Sequence, residues 1–187
     1  MTKTIWQSPA FVLLTAAAVA CSTAAFAQAQ KKSAKPEPTE GAALLGQYDA
    51  WGAYKATPGG KKICFALSKP TSAVTEPVGR NRDPSYAFVS TRPSEKVKNE
   101  VSMIVGYPQK PGVDATATIG SASYVMYTQN DGAWVKNAAE EAQMVETMRK
   151  GAELVVKSVS THGTKTTDTY SLKGLSEALD KVAQECK

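Results

Sequence analysis

The chain has 187 residues, a formal charge of +5 and 42% hydrophobic residues, with a pI of about 9.0. That length predicts one domain once an export segment is set aside. The basicity falls short of a nucleic-acid-binding composition, so no nucleic-acid partner is expected. It fits weak attraction to anionic surfaces such as lipid head groups, or simply a solvated lysine surface.

Residues 1–27 read as a secretory signal. Lys3 is the only charge before Phe11 to Ala20 (FVLLTAAAVA), an apolar run of signal-peptide length and too short for a stable bilayer anchor. Ala25-Phe26-Ala27 puts alanines at both positions a signal peptidase requires, which predicts cleavage between Ala27 and Gln28. A competing reading takes Ala18-Val19-Ala20-Cys21 as a loose lipobox, in which Cys21 is lipidated. No later apolar run is long enough to span a membrane, so no transmembrane segment is expected after cleavage. The expected location is the periplasm or, if secreted, the outer envelope.

Residues 28–45 are polar, charged and proline-containing, and read as a flexible linker to a domain over 46–187. From Tyr48 short apolar runs alternate with turn residues, the pattern of an all-β domain. Tyr48 to Thr57, a Pro58-Gly59-Gly60 turn and Lys62 to Ser68 read as a hairpin. In its second strand Ile63, Phe65 and Leu67 share one face, and Cys64 and Ala66 the other. Residues 69–85 read as a long loop carrying a basic cluster, Arg80 and Arg82. Further strands are expected at Tyr86 to Thr91, at Val101 to Gly106 (apolar on both faces, hence central) and at Ala115 to Ile119. Ser121 to Thr128 and Ala133 to Lys136 flank Asn130-Asp131-Gly132, whose Asp-Gly suits a tight hairpin turn.

Ala138 to Lys150 switches to helical period, with Ala138, Ala142, Val145 and Met148 on one face. Asn137 is the expected N-cap, Glu140 and Glu141 suit the first turn, and Gly151 ends the helix. Two strands follow, Glu153 to Val159 and Lys165 to Leu172, joined by a turn around His162-Gly163. Lys173 to Cys186 forms a second helix carrying Leu175, Leu179, Val182 and Cys186 at helical spacing, with Ser171 as N-cap. The expected fold is mainly β: a β-sandwich or partly open barrel of about eight antiparallel strands with two short helices.

After signal cleavage two cysteines remain, Cys64 and Cys186. In an oxidising compartment they are most simply a disulfide, the alternative being two separate buried thiols. The sequence offers no recognisable catalytic set. His162 is the only histidine, which excludes a two-histidine zinc site, and a Ser-His-Asp set would have to use it. There is no Gly-x-Ser-x-Gly elbow and no Cys-x-x-Cys pair. Gly59-Gly60-Lys61-Lys62 lacks the spacing of a phosphate loop and reads as turn chemistry. Glu140 and Glu141 are neighbours that diverge on a helix, not an acid–base pair. No catalytic residue, metal or cofactor is therefore expected. Trp51, Tyr54 and Trp134 are candidates for an aromatic recognition patch; Trp51 reads as core, and Trp134, beside the Asp131-Gly132 turn, as the more exposed. Trp134, Arg80 and Arg82 form the expected contact surface.

The order Tyr48-Asp49-Ala50-Trp51, a hairpin, Lys62-Ile63-Cys64-Phe65-Ala66, then Tyr170-Ser171-Leu172-Lys173-Gly174-Leu175 and Ala178-Leu179 resembles the invasion-associated locus B family of alphaproteobacterial envelope proteins. The resemblance covers about residues 46 to 187. It implies an exported β-sandwich-like domain with no established enzymatic activity, linked in some pathogens to host-cell invasion. Many members carry another cysteine shortly after the strand-one tryptophan; here Gly52-Ala53-Tyr54-Lys55 holds no thiol. The functional expectation is a non-catalytic envelope protein acting through surface contacts with an envelope or host partner. The alternative is a periplasmic carrier of small ligands or an inhibitor module, which an apolar-lined pocket would favour.

Overall fold

A computed structural model describes residue 39 and residues 41–187. The signal peptide, the Ala27–Gln28 cleavage site, Cys21 and most of the linker lie outside the described residues.

Eleven strands form one antiparallel sheet: β1 (Ala43–Tyr48), β2 (Trp51–Ala56), β3 (Ile63–Ser68), β4 (Ser72–Glu76), β5 (Tyr86–Arg92), β6 (Val97–Ile104), β7 (Ala115–Ile119), β8 (Ala122–Gln129), β9 (Gly132–Val135), β10 (Glu153–Val159) and β11 (Lys165–Ser171). Among the described residues two α-helices, α1 (Ala138–Lys150) and α2 (Leu175–Glu185), accompany it. The strand order is β1-β2-β3-β5-β6-β9-β8-β7-β10-β11-β4.

That order forces curvature. Laid flat, eight inter-strand steps of about 4.8 Å would separate β3 from β4 by roughly 38 Å. Residues 69–71, which join them, reach about 14 Å at most. The sheet therefore coils back on itself. β3 is already paired on both sides, by β2 and β5, so β4 cannot close onto it and the coil stays open. Of the two expected architectures, this is the partly open barrel.

The concave side holds the core. Trp51, Val89, Val101, Met103, Met126, Leu154 and Tyr170 are buried there with Met144 and Met148 of α1 and Leu175, Leu179 and Val182 of α2. Trp51 is fully buried, and its indole Nε1 donates to the Ser171 carbonyl at 2.9 Å, so its one polar atom is satisfied. Cys64 and Cys186 are bonded, with Cα atoms 5.9 Å apart, and tie β3 to the end of α2.

Several elements depart from expectation for identifiable reasons. β1 begins at Ala43, inside the segment read as linker, and β4 lies inside the segment read as loop. The β8–β9 turn is Asn130-Asp131, with Asn130 at φ 54°. Gly132 is already a strand residue, and a Cβ there would sit 2.2 Å from the Trp134 ring, so packing rather than the turn requires glycine. In α1 the buried residues are Met144, Val145 and Met148, while Ala138 and Ala142 are exposed because the helix docks by its second half. Asn137 does cap α1, accepting from the Glu140 N–H at 2.8 Å. α2 starts from Gly174 at φ +87° rather than from a Ser171 cap. A Cβ at Gly174 would lie 2.0 Å from the Tyr48 carbonyl oxygen.

Candidate functional site

Among the described residues, no helix packs on the convex face of the sheet. Alternation along β5, β6, β8 and β9 sends Val89, Val101, Met103, Met126 and Ala133 to the core and the intervening residues outward. Strand register then aligns the outward set. Leu67 faces Phe88, Phe88 faces Ser102, Ser102 faces Trp134, and Trp134 faces Tyr127. Trp134 stacks on Tyr127 with ring centroids 5.7 Å apart. A second aromatic run, Tyr54 on Phe65 at 5.3 Å and Phe65 on Phe88 at 5.8 Å, continues the face toward β2. Tyr127 is 40% exposed and neighbouring Val125 46%.

Of the three aromatics singled out in sequence, Tyr54 and Trp134 share this outer face and Trp51 points the other way, into the core. Tyr127, which completes the Trp134 stack, was not singled out. Its only signal was that Ser121 to Thr128 carries apolar residues at both parities.

Arg80 and Arg82 are placed elsewhere, in a polar cleft of about 460 Å³ beside β4 and β11, and Trp134 does not line it. Arg82 bonds both carboxylate oxygens of Asp168, with Nη1 at 2.8 Å from Oδ2, and donates to the Val105 carbonyl at 2.9 Å. Asp168 is almost fully buried on β11, so the pair ties the segment before β5 across the open side of the coil. Burial works against the Arg82 charge, but the bonds and charge of Asp168 outweigh it and hold the guanidinium above its ordinary pKa. The ring of Tyr107 lies 5.9 Å from the Arg82 guanidinium. Beneath the pair, burial first and the Asp168 charge second push the Tyr170 phenol well above its usual range.

The segment leading to Arg82 is pinned at several points. Thr75 Oγ donates to the Pro77 carbonyl at 2.9 Å and accepts the Arg80 N–H at 3.2 Å. Asp83 N–H donates to the Gly106 carbonyl at 3.0 Å, and a Cβ at Gly106 would lie 2.0 Å from the Asp83 oxygen. His162 sits exposed in the β10–β11 turn and lines the same cleft.

Glu140 and Glu141 diverge as expected. Glu140 accepts from the Asn137 side chain, whereas Glu141 accepts the Val101 N–H at 2.8 Å, a β6 donor just past the Ser102–Trp134 pair at which β6 and β9 stop pairing. Burial raises the Glu141 carboxyl above its ordinary pKa, although the Val101 bond opposes the shift. Among the described residues no three His, Cys, Asp or Glu side chains are grouped to hold a metal ion.

A family model described as Invasion associated locus B (IalB) protein matches residues 53–183. The chain belongs to the invasion associated locus B family. In this IalB protein the matched span runs from β2 into α2 and so includes the outer aromatic face, the arginine cleft and Cys64, with Cys186 just beyond it. No curated protein and no solved structure matches the chain. No helix among the described residues is long and apolar enough to cross a membrane.

Proposed function

We propose that this IalB protein is exported to the periplasm or outer envelope and works without catalysis. Its task is to contact a protein partner in the bacterial envelope or on a host cell through the convex face of its sheet. The observation that carries this reading is the in-register row Phe88, Ser102, Trp134 and Tyr127 on the side away from both helices. Rigid aromatic side chains on a sheet lose little conformational entropy on contact and are enriched in binding surfaces. The Cys64–Cys186 bond suits an oxidising compartment. The cleft, lined by hydroxyls and cations, does not suit an apolar cargo, which weighs against a carrier of apolar ligands.

The test is fractionation of cells producing the protein or its Val125→Ser/Tyr127→Ser variant. Both side chains are well exposed, so the variant should fold like the parent. Envelope-associated parent and released variant are the expected result. Equal retention of the two would remove the outer face as the contact surface.

A further inference from the structure

We infer that the cleft holding Arg80, Arg82, Tyr107 and His162 is a binding site for a small oxyanion-bearing ligand, a phosphate ester or a carboxylate.

The lining is one-sided in its chemistry. It presents two arginines and the only histidine of the chain, and neither a carboxylate nor an aliphatic side chain. The two arginines play different parts. Arg82 is fixed by Asp168 and the Val105 carbonyl, which use three of its five N–H groups and leave two for a ligand. Its charge is partly compensated, so it serves chiefly as a positioned donor. Arg80 has no carboxylate partner among the described residues, and only its backbone N–H, held by Thr75, is engaged. An arginine whose main chain is anchored and whose guanidinium is uncommitted presents a planar fork suited to two oxygens of one anion.

The hydroxyls point the same way. Tyr107 and Thr166 share one hydrogen bond of 2.5 Å; two O–H groups with one bond between them leave one hydrogen to donate elsewhere. Ser160 Oγ accepts the Thr164 N–H at 3.1 Å, which frees its own hydrogen to donate. Asn81 adds an amide at the rim. Two guanidinium groups and these hydroxyl hydrogens give the lining an excess of positive charge with no carboxylate among it, and an acceptor-rich, negatively charged group is the complement. The donors come from three segments, around β4, after β6 and in the β10–β11 turn, that are far apart in sequence. The ion pair of Arg82 with Asp168 holds them together before any ligand arrives.

The chain with its disulfide intact should be titrated by NMR with inorganic phosphate and, separately, with glucuronate, at constant ionic strength, with chloride as control. His162 is the only histidine, so its imidazole signals need no further assignment. Saturable movement of those signals with phosphate alone identifies a phosphate-type ligand. Movement with glucuronate alone identifies an acidic sugar, and movement with both supports a general oxyanion site. Arg80→Gln should weaken binding about tenfold or more, the scale of one charge-assisted contact. Lys150→Gln removes the same charge from the exposed end of α1 and should change little. No saturable shift with either anion, or equal weakening by the two substitutions, would overturn the proposal.

Discussion

Reducing the Cys64–Cys186 bond removes a cross-link between residues 122 apart in sequence. In the chain-entropy account, closing a loop of that length restricts the unfolded chain by about 5 kcal/mol, and measured values for native bonds are commonly 2–5 kcal/mol. For a domain of this size each kcal/mol moves the melting temperature by about 3 °C, so reduction should lower it by roughly 10 °C. The reduced protein should still fold. Leu175, Ala178, Leu179 and Val182 keep α2 on the sheet, and the bond lies at the helix's last turn. Calorimetry of the oxidised protein beside a Cys64→Ala/Cys186→Ala variant measures the shift, and amide exchange should locate the new mobility at the end of α2. A drop of less than about 3 °C would show that the bond adds little to the stability of the fold. Two free thiols in a non-reducing peptide map of protein taken from the envelope would show that it does not form there.

Other substitutions test the rest of the frame. Asp168→Asn leaves the Arg82 charge in a site where that side chain is only 10% exposed, and should cost about 3–5 kcal/mol in denaturant unfolding. Gly174→Ala forces a Cβ against the Tyr48 carbonyl at a residue with φ +87°, so chain displacement and left-handed strain together should destabilise by more than about 1–3 kcal/mol, read as a lower denaturation midpoint. Glu141 has its pKa raised in the folded state, so its contribution is full below the ordinary carboxyl value of 4.5 and is lost as pH rises through the folded value. Glu141→Gln keeps an acceptor for the Val101 N–H and should flatten that decline, matching or exceeding the parent's stability at neutral pH in parallel melting curves.

The sheet was legible where alternation was strong. Glu153 to Val159 turns Leu154 and Val156 to the core as alternation predicts, and the strands expected over Lys62 to Ser68 and Lys165 to Leu172 are found at Ile63–Ser68 and Lys165–Ser171, the first buried on both faces and the second turning Thr166, Asp168 and Tyr170 inward. β4 was not legible, because of its five residues only Thr75 is buried and the strand serves as an edge between prolines. β1 escaped for a similar reason: Leu44 is exposed, and the strand forms the other edge. The face of α1 was misplaced because helical period alone does not say which turn reaches the sheet. Arg80 and Arg82 stood out as a basic cluster, but Asp168, Tyr107 and His162 meet them only through the coiling of the sheet. Trp134 was read as a surface residue without its partner, since the Tyr127 stack depends on β8–β9 register.

The proposed function requires the convex face to touch a partner in the cell. A photo-reactive phenylalanine analogue placed at position 127, within the aromatic row, tests it in intact cells. The same analogue at position 177, on the exposed side of α2, serves as the control. A discrete, saturable adduct from position 127 and none from 177 is the predicted result. Equal labelling from both positions, or none from 127 in cells where the protein is exported and folded, would contradict it.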